Sequence, residues 1–321
     1  MEAGASRRGL ALGVGAYTIW GLAPILWKAI DDLAAVDVAA HRVVWSLAFL
    51  IGVHTVRRSW PAFRVVATQA TNLRVAALTA TLIGGNWVIF LYAIETDRVV
   101  DASLGYFINP LLNVVLGVLV LRESMSRLQW VAVGWAAVGV AWLTYDLGQL
   151  PWISLSLAAT FAAYGLLRKT ASFESIDGLT METMWMLAPA AALLLWRGGG
   201  DPAAVGFVSP AQTVLILLTG VITATPLLLF AAGARRIPFT TIGLLQYIAP
   251  TLQFLLGVLV YDELFDRGRL IGFVAIWVGL AIFALDLYRV TARATRRQYV
   301  PATTPERSPA SSPDASSRAS G

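Results

Sequence analysis

An all-α integral membrane protein, with ten transmembrane helices arranged as two inverted five-helix repeats, is what the sequence predicts. Three observations carry that prediction: an excess of apolar residues, an internal duplication, and an uneven distribution of arginine and lysine among the loops. Of the 321 residues, 57% are hydrophobic and 13% charged, against roughly 45–50% and 25% in soluble domains. The mean hydropathy is +0.69. A soluble chain could not hide this much apolar surface, so the solvent for most of it is lipid. The net charge of +5 and pI near 9.7 would suit a nucleic-acid partner. The basic residues, however, lie in short loops between apolar runs and form no stripe, which argues against that partner. The chain has no cysteine, which excludes disulfides, thiolate metal sites and cysteine nucleophiles.

The duplication centres on GYFINPLLNVVLGVLVLRE, Gly105 to Glu123, which returns 140 residues later as LQYIAPTLQFLLGVLVYDE, Leu245 to Glu263. Nine of the nineteen positions are identical without a gap, among them Pro110/Pro250, the LGVLV run and Glu123/Glu263. Arg127/Arg267, Gly139/Gly279 and Asp146/Asp286 continue the same offset. The period is far longer than that of a solenoid; it is a duplicated half-protein, the usual construction of secondary transporters.

Runs apolar enough to cross about 30 Å of hydrocarbon fall near residues 10–30, 38–56, 73–94, 100–121, 128–145, 151–168, 179–196, 211–233, 239–261 and 269–288. The N-terminal run is too long for the apolar core of a signal peptide and has no cleavage site after it, so it reads as the first span. This gives a first repeat over 1–146, a second over 147–288, and a cytoplasmic tail over 289–321. The tail is basic at first, then rich in Ser, Pro and Ala, a composition that predicts disorder. With the N-terminus inside, 18 of the 24 Lys and Arg fall on the cytoplasmic side and 5 on the other. That bias predicts both termini in the cytoplasm of a multi-pass inner-membrane protein. Five spans per repeat then force the second half to enter from the opposite face, so the repeats are inverted and any central site serves alternating access.

Polar side chains inside spans need a partner or a cavity. Tyr106, Asn109 and Asn113 share a face of span 4, and Gln246 and Gln253 repeat it in span 9 beside Tyr247. Pro110 and Pro250, with Pro24 in span 1, can kink their helices. Trp20 sits too deep for an interfacial belt, Asn86 follows two glycines, and Tyr164 lies in span 6. These residues (Trp20, Asn86, Tyr106, Asn109, Asn113, Tyr164, Gln246, Tyr247 and Gln253) form the expected substrate pathway, the alternative for the amides being helix-to-helix adhesion. His41 and Arg42 lie about 6 Å inside span 2; a structural ion pair, with Asp37 as a nearby candidate, or a gating role would account for Arg42. Glu182, at the inner start of span 7, is a candidate proton carrier. The small residues Gly134, Ala137 and Ala141 of span 5, and Gly272 and Gly279 of span 10, suit either helix packing or a homodimer.

No P-loop and no H-E-x-x-H motif occurs, and two histidines without cysteine make a zinc site unexpected. No metal and no cofactor are expected. A pathway of amides and aromatics suits neutral, zwitterionic or amphipathic solutes, with a proton as possible coupling ion and lipid as the surroundings. The expected function is secondary transport of a small solute, not enzymatic. The alternatives are a membrane-embedded enzyme acting on lipid or isoprenoid, for which Asp31 and Asp32 are a candidate acidic pair, and a transport-inactive sensor.

Six segments carry a family resemblance: AYTIWGLAPILWKAI (16–30), HRVVWS (41–46), LIGGNWVIFLYAI (82–94), ASLGYFINPLLNVVLG (102–117), METMWMLAP (181–189) and QYIAPTLQFLLGVLVYDE (246–263). Together they resemble the RarD-type branch of EamA-domain proteins in the drug/metabolite transporter superfamily, over about residues 10–288. The resemblance implies two inverted EamA repeats, an inner-membrane location and efflux of small metabolites or drugs. It supplies neither a substrate nor site residues.

Overall fold

Uninterrupted runs of Leu, Val, Ile and Ala, with few breakers, become long helices because lipid offers the backbone no other hydrogen-bond partner. The computed structural model describes residues 3–30, 33–96, 98–147, 152–261 and 267–298. Among these, the order is α1 (Ala3–Leu22), α2 (Pro24–Lys28), α3 (Ala35–Val56), α4 (Trp60–Ala67), α5 (Ala70–Glu95), α6 (Val99–Leu119), α7 (Arg127–Leu147), α8 (Trp152–Thr170), α9 (Ser175–Gly198), a 3-10 turn (Pro202–Val205), α10 (Pro210–Ala234), α11 (Phe239–Leu245), α12 (Ile248–Leu259) and α13 (Arg267–Gln298). Asp31, Asp32, Glu263 and the tail from 299 lie outside the described residues.

Among the described residues nine stretches are long and apolar enough to cross a membrane, counting α1 with α2 and α11 with α12 as one each. The tenth expected span, α8, is 19 residues long but carries Ser154, Ser156, Thr160, Arg168 and Lys169. Its polarity has a physical reason. It packs against α5, α6 and α10, and its polar groups find partners there: Thr160 takes a bond from Asn86, and Ser154 donates to the Asp101 carbonyl. Two other departures stand out. The segment after α3, expected as loop, holds the short α4, which buries Phe63 beside His54. The last helix runs to Gln298, ten residues past its expected end at 288.

Helix neighbours obey an exchange rule. Replace each helix by its counterpart in the other half and most of the larger contacts map onto one another. α1 against α10 becomes α8 against α5, α1 against α12 becomes α8 against α6, and α3 against α10 becomes α9 against α5. The pairs α3–α9, α6–α11 and α7–α13 map onto themselves. The α7–α13 pair approaches closely through small residues. A Cβ on Gly139 would stand 2.6 Å from the Gly272 carbonyl, and one on Gly279 2.6 Å from that of Ala132. Gly134, on the other side of α7, meets open space. The small-residue stripe thus divides, with part packing helix on helix and part facing outward.

Candidate functional site

The three prolines act differently. Pro24 has no N–H to give the carbonyl four residues back, which is that of Trp20, and the helix breaks at Ala23 between α1 and α2. Gln253 of α12 answers this: its Nε2 donates to the Trp20 carbonyl at 3.2 Å. An amide of the second half thereby completes the backbone of the first. Pro250 stands four residues after Gln246, where the chain leaves α11 before resuming as α12. Pro110 lies inside an uninterrupted α6.

Beside these breaks lies a cavity of about 500 Å³, within the size range of small-molecule sites. It runs from Tyr17 in α1 to Lys28 at the end of α2 and Tyr261 just past α12, with walls from α1, α2, α3, α5, α6, α8, α10, α12 and the junction between α11 and α12. Of the expected pathway residues, Trp20, Asn86, Tyr106, Gln246 and Gln253 line it, with Pro24 and Pro250. Asn109, Asn113, Tyr164 and Tyr247 do not. Asn113 sits behind the wall and donates to Gln246 Oε1 at 3.0 Å, holding that amide in place. Tyr247 is fully buried and donates to the Phe107 carbonyl. Asn109 is buried, and its Oδ1 has no partner among the described residues. Asn86 is fixed by bonds to the Leu157 carbonyl at 2.8 Å and to Thr160 at 2.9 Å.

Arg42 also lines the cavity. Its Nε donates to Thr223 Oγ1 at 3.0 Å. Its guanidinium lies 4.5 Å from the Trp87 ring centre and 5.3 Å from that of Trp27, within cation–π range. It has no ion pair with Asp37, which is held by Arg197 at 2.5 Å. His41 turns away from the cavity and donates through Nε2 to the Val205 carbonyl at 2.8 Å. Lys28 places its ammonium 3.4 Å from the Tyr261 ring centre.

A second polar group lies outside the cavity. Glu182 is fully buried, with Arg168 Nη1 at 3.5 Å and the Tyr164 hydroxyl donating at 3.3 Å. Arg168 also donates to the Ser175 carbonyl at 2.7 Å. Counted with the loops in the sequence, Arg168 is in fact 2% exposed. Nearby, the fully buried His54 bonds Ser59 and Thr180. Farther along the same end, Glu123 accepts from the Phe239 and Thr240 amides at 2.6 and 2.9 Å, a carboxylate at a helix N-terminus. Lys169 lies 3.7 Å from Glu123 and donates to the Ala234 and Ile237 carbonyls.

Several wall residues escape a search for isolated polar groups: Tyr17, Trp27, Trp87 and Phe161. Trp27 could have been found, since Trp20, Pro24 and Trp27 recur at helical spacing. The other three are ordinary aromatics in apolar runs, and nothing in their spacing marks them.

A multi-pass helical bundle enclosing a small-molecule cavity is the class that fold and site define. Comparison with known proteins agrees. The EamA-like transporter family matches residues 7–145. RarD of Streptomyces exfoliatus is 40% identical, the alignment covering 96% of this chain and 98% of that protein. RarD of Escherichia coli K12 is 39% identical over 92% of this chain and 100% of its own. A Vibrio cholerae protein described as an uncharacterized transporter is 41% identical over 88% and 93%. A solved crystal structure shares the fold with a TM-score of 0.66 at 15% identity, covering 86% of this chain and 97% of that one. The chain belongs to the EamA-like transporter family, among its RarD-type members, and is a multi-pass membrane transporter.

Proposed function

We propose that this transporter is a secondary exporter of the cytoplasmic membrane, with both termini inside, moving a small organic solute by alternating access between two inverted repeats. The observation that carries this reading is the cavity shared by both halves, reaching Lys28 and Tyr261 at one end. Three facts support it. Most of the larger helix contacts pair up when the halves are exchanged, as expected of a bundle that can rock between two related states. The end opposite Lys28 is tied by Glu123, Lys169 and the start of α11. The arginine and lysine bias supports a cytoplasmic position for that tied end. Trp20, Asn86, Tyr106, Gln246 and Gln253 contact the solute, while Asn113 and Tyr247 position the wall behind it. The fully buried Glu182 carries the proton if transport is coupled to one, with His41 and Arg42 as gating groups.

The test is efflux from proteoliposomes loaded with mixed amino acids and aromatic metabolites, followed by mass spectrometry with and without a pH gradient. Wild type should release a subset of solutes, and Asn113→Leu/Gln253→Leu should release them at least tenfold more slowly. Dependence on the gradient that vanishes in Glu182→Gln would assign coupling to that carboxylate. Equal retention by wild type and empty liposomes of every solute in the pool would sink the transport mechanism.

A further inference from the structure

We infer that the cavity takes an organic anion, a solute with one carboxylate-type group held by Arg42 and an apolar ring-bearing body laid against the surrounding aromatics. The inference deepens the transport reading and rests on it only in taking this cavity as the solute's site.

Charge balance is the first argument. Arg42 brings a guanidinium to the cavity wall, and among the described residues no acidic side chain lines the cavity. A guanidinium drawn into a largely apolar site pays a desolvation cost unless an anion meets it. The chain shows what a resident counter-ion looks like: Arg168 has Glu182, and Arg197 has Asp37. Asp37, five residues before Arg42 on α3, is thereby held elsewhere. Among the described residues no carboxylate pairs with Arg42.

Geometry is the second. Thr223 occupies Nε, and the indoles of Trp27 and Trp87 lie near the guanidinium. These contacts restrain the group without using its two terminal nitrogens. That edge is the fork which binds a carboxylate through two parallel hydrogen bonds.

The third argument concerns the rest of the solute. Trp20, Trp87, Phe90 and Phe161 furnish flat apolar walls. Among the described residues the fully buried hydroxyl of Tyr17 has no partner, and the Gln246 amide nitrogen is left over once Asn113 has bonded its oxygen. The site can thus hold a ring and hydrogen-bond one neutral polar substituent, while none of its described lining residues is an acid that would hold an ammonium.

The experiment uses the full chain in nanodiscs and follows tryptophan fluorescence, since Trp20, Trp27 and Trp87 belong to the wall. The probes are 3-phenylpropionate, its neutral amide and phenethylammonium. Wild type should bind the acid saturably, the amide at least tenfold more weakly, and the ammonium not at all. Arg42→Gln should lower acid affinity at least tenfold and leave the amide unchanged, the latter showing that the cavity persists. Should Arg42→Gln fail to fold, Arg42→Lys and Thr223→Val carry the test, each narrowing the preference for acid several-fold. Equal binding of acid and amide by wild type, an acid preference unchanged in the variants, or no acid binding up to millimolar concentration overturns the inference. Charge-selective binding without flux would break the transport mechanism and leave this inference standing. Flux confined to neutral or cationic solutes would do the reverse.

Discussion

Arg42 and Arg168 are both arginines enclosed by helices, and they are held in opposite ways. Arg168 is packed out of reach with Glu182 beside it, the Ser175 carbonyl on one nitrogen and the Tyr164 hydroxyl on the carboxylate. Arg42 has a threonine and two indoles, and faces open volume. A cation enclosed with its own carboxylate has its charge answered within the chain when nothing else is present. A cation restrained by neutral groups has its geometry set and its charge unanswered, which is how a binding group is built. Position in the sequence suggests the reverse, since Arg42 looks like a structural pair with Asp37 and Arg168 like a loop residue.

The largest expected effect breaks the closed member of this pair. Glu182→Ala should cost about 3–5 kcal/mol by leaving the Arg168 charge buried alone, read as a lowered melting temperature in detergent. Restoring neutrality with Arg168→Met/Glu182→Leu should recover most of that loss. Next is Gly178, where any side chain would collide with the Arg168 guanidinium and the Phe173 ring. Gly178→Val should cost roughly 1–3 kcal/mol by overpacking and should not add to Glu182→Ala, because both act on one group. Arg42→Met sharpens the comparison from the other side: stability should change by less than ~1 kcal/mol or rise, while binding of aromatic carboxylates is lost. The smallest effect belongs to Thr223→Val, which removes one hydrogen bond of about 1 kcal/mol. It should weaken carboxylate binding about fivefold without moving the melting temperature. If Arg42→Met destabilised as much as Glu182→Ala, the distinction between the two arginines would collapse.

Much of the fold is legible because lipid leaves so few solutions. Apolar run length marks the spans, and the repeated motif around Pro110 and Pro250 relates the halves. What could not be read traces to polar groups answered by neighbours. α8 falls below the hydropathy of its fellows because α5, α6 and α10 satisfy its side chains. Arg168 resembles a loop arginine because counting charge by position cannot see a buried carboxylate 14 residues away. The candidate site is legible by residue type more than by orientation. Helical spacing puts Tyr106, Asn109 and Asn113 on one stripe of α6. The cavity takes Tyr106, whereas Asn113 packs where Gly243 lets α11 come close; a Cβ there would stand 2.7 Å from that of Asn113. Spacing says which residues share a face, and only the neighbouring helices decide what that face meets.

The bond from Gln253 to the Trp20 carbonyl has a mechanical consequence. In most helices the backbone ladder is private to the strand of chain that makes it. Here the rung that Pro24 cannot supply is lent by α12, so the bend between α1 and α2 and the placement of α12 share one degree of freedom. Sliding α12 away opens a rung in its neighbour, and straightening that neighbour expels the borrowed amide. Bending of the first span is thereby geared to translation of the ninth, with a single amide as the tooth.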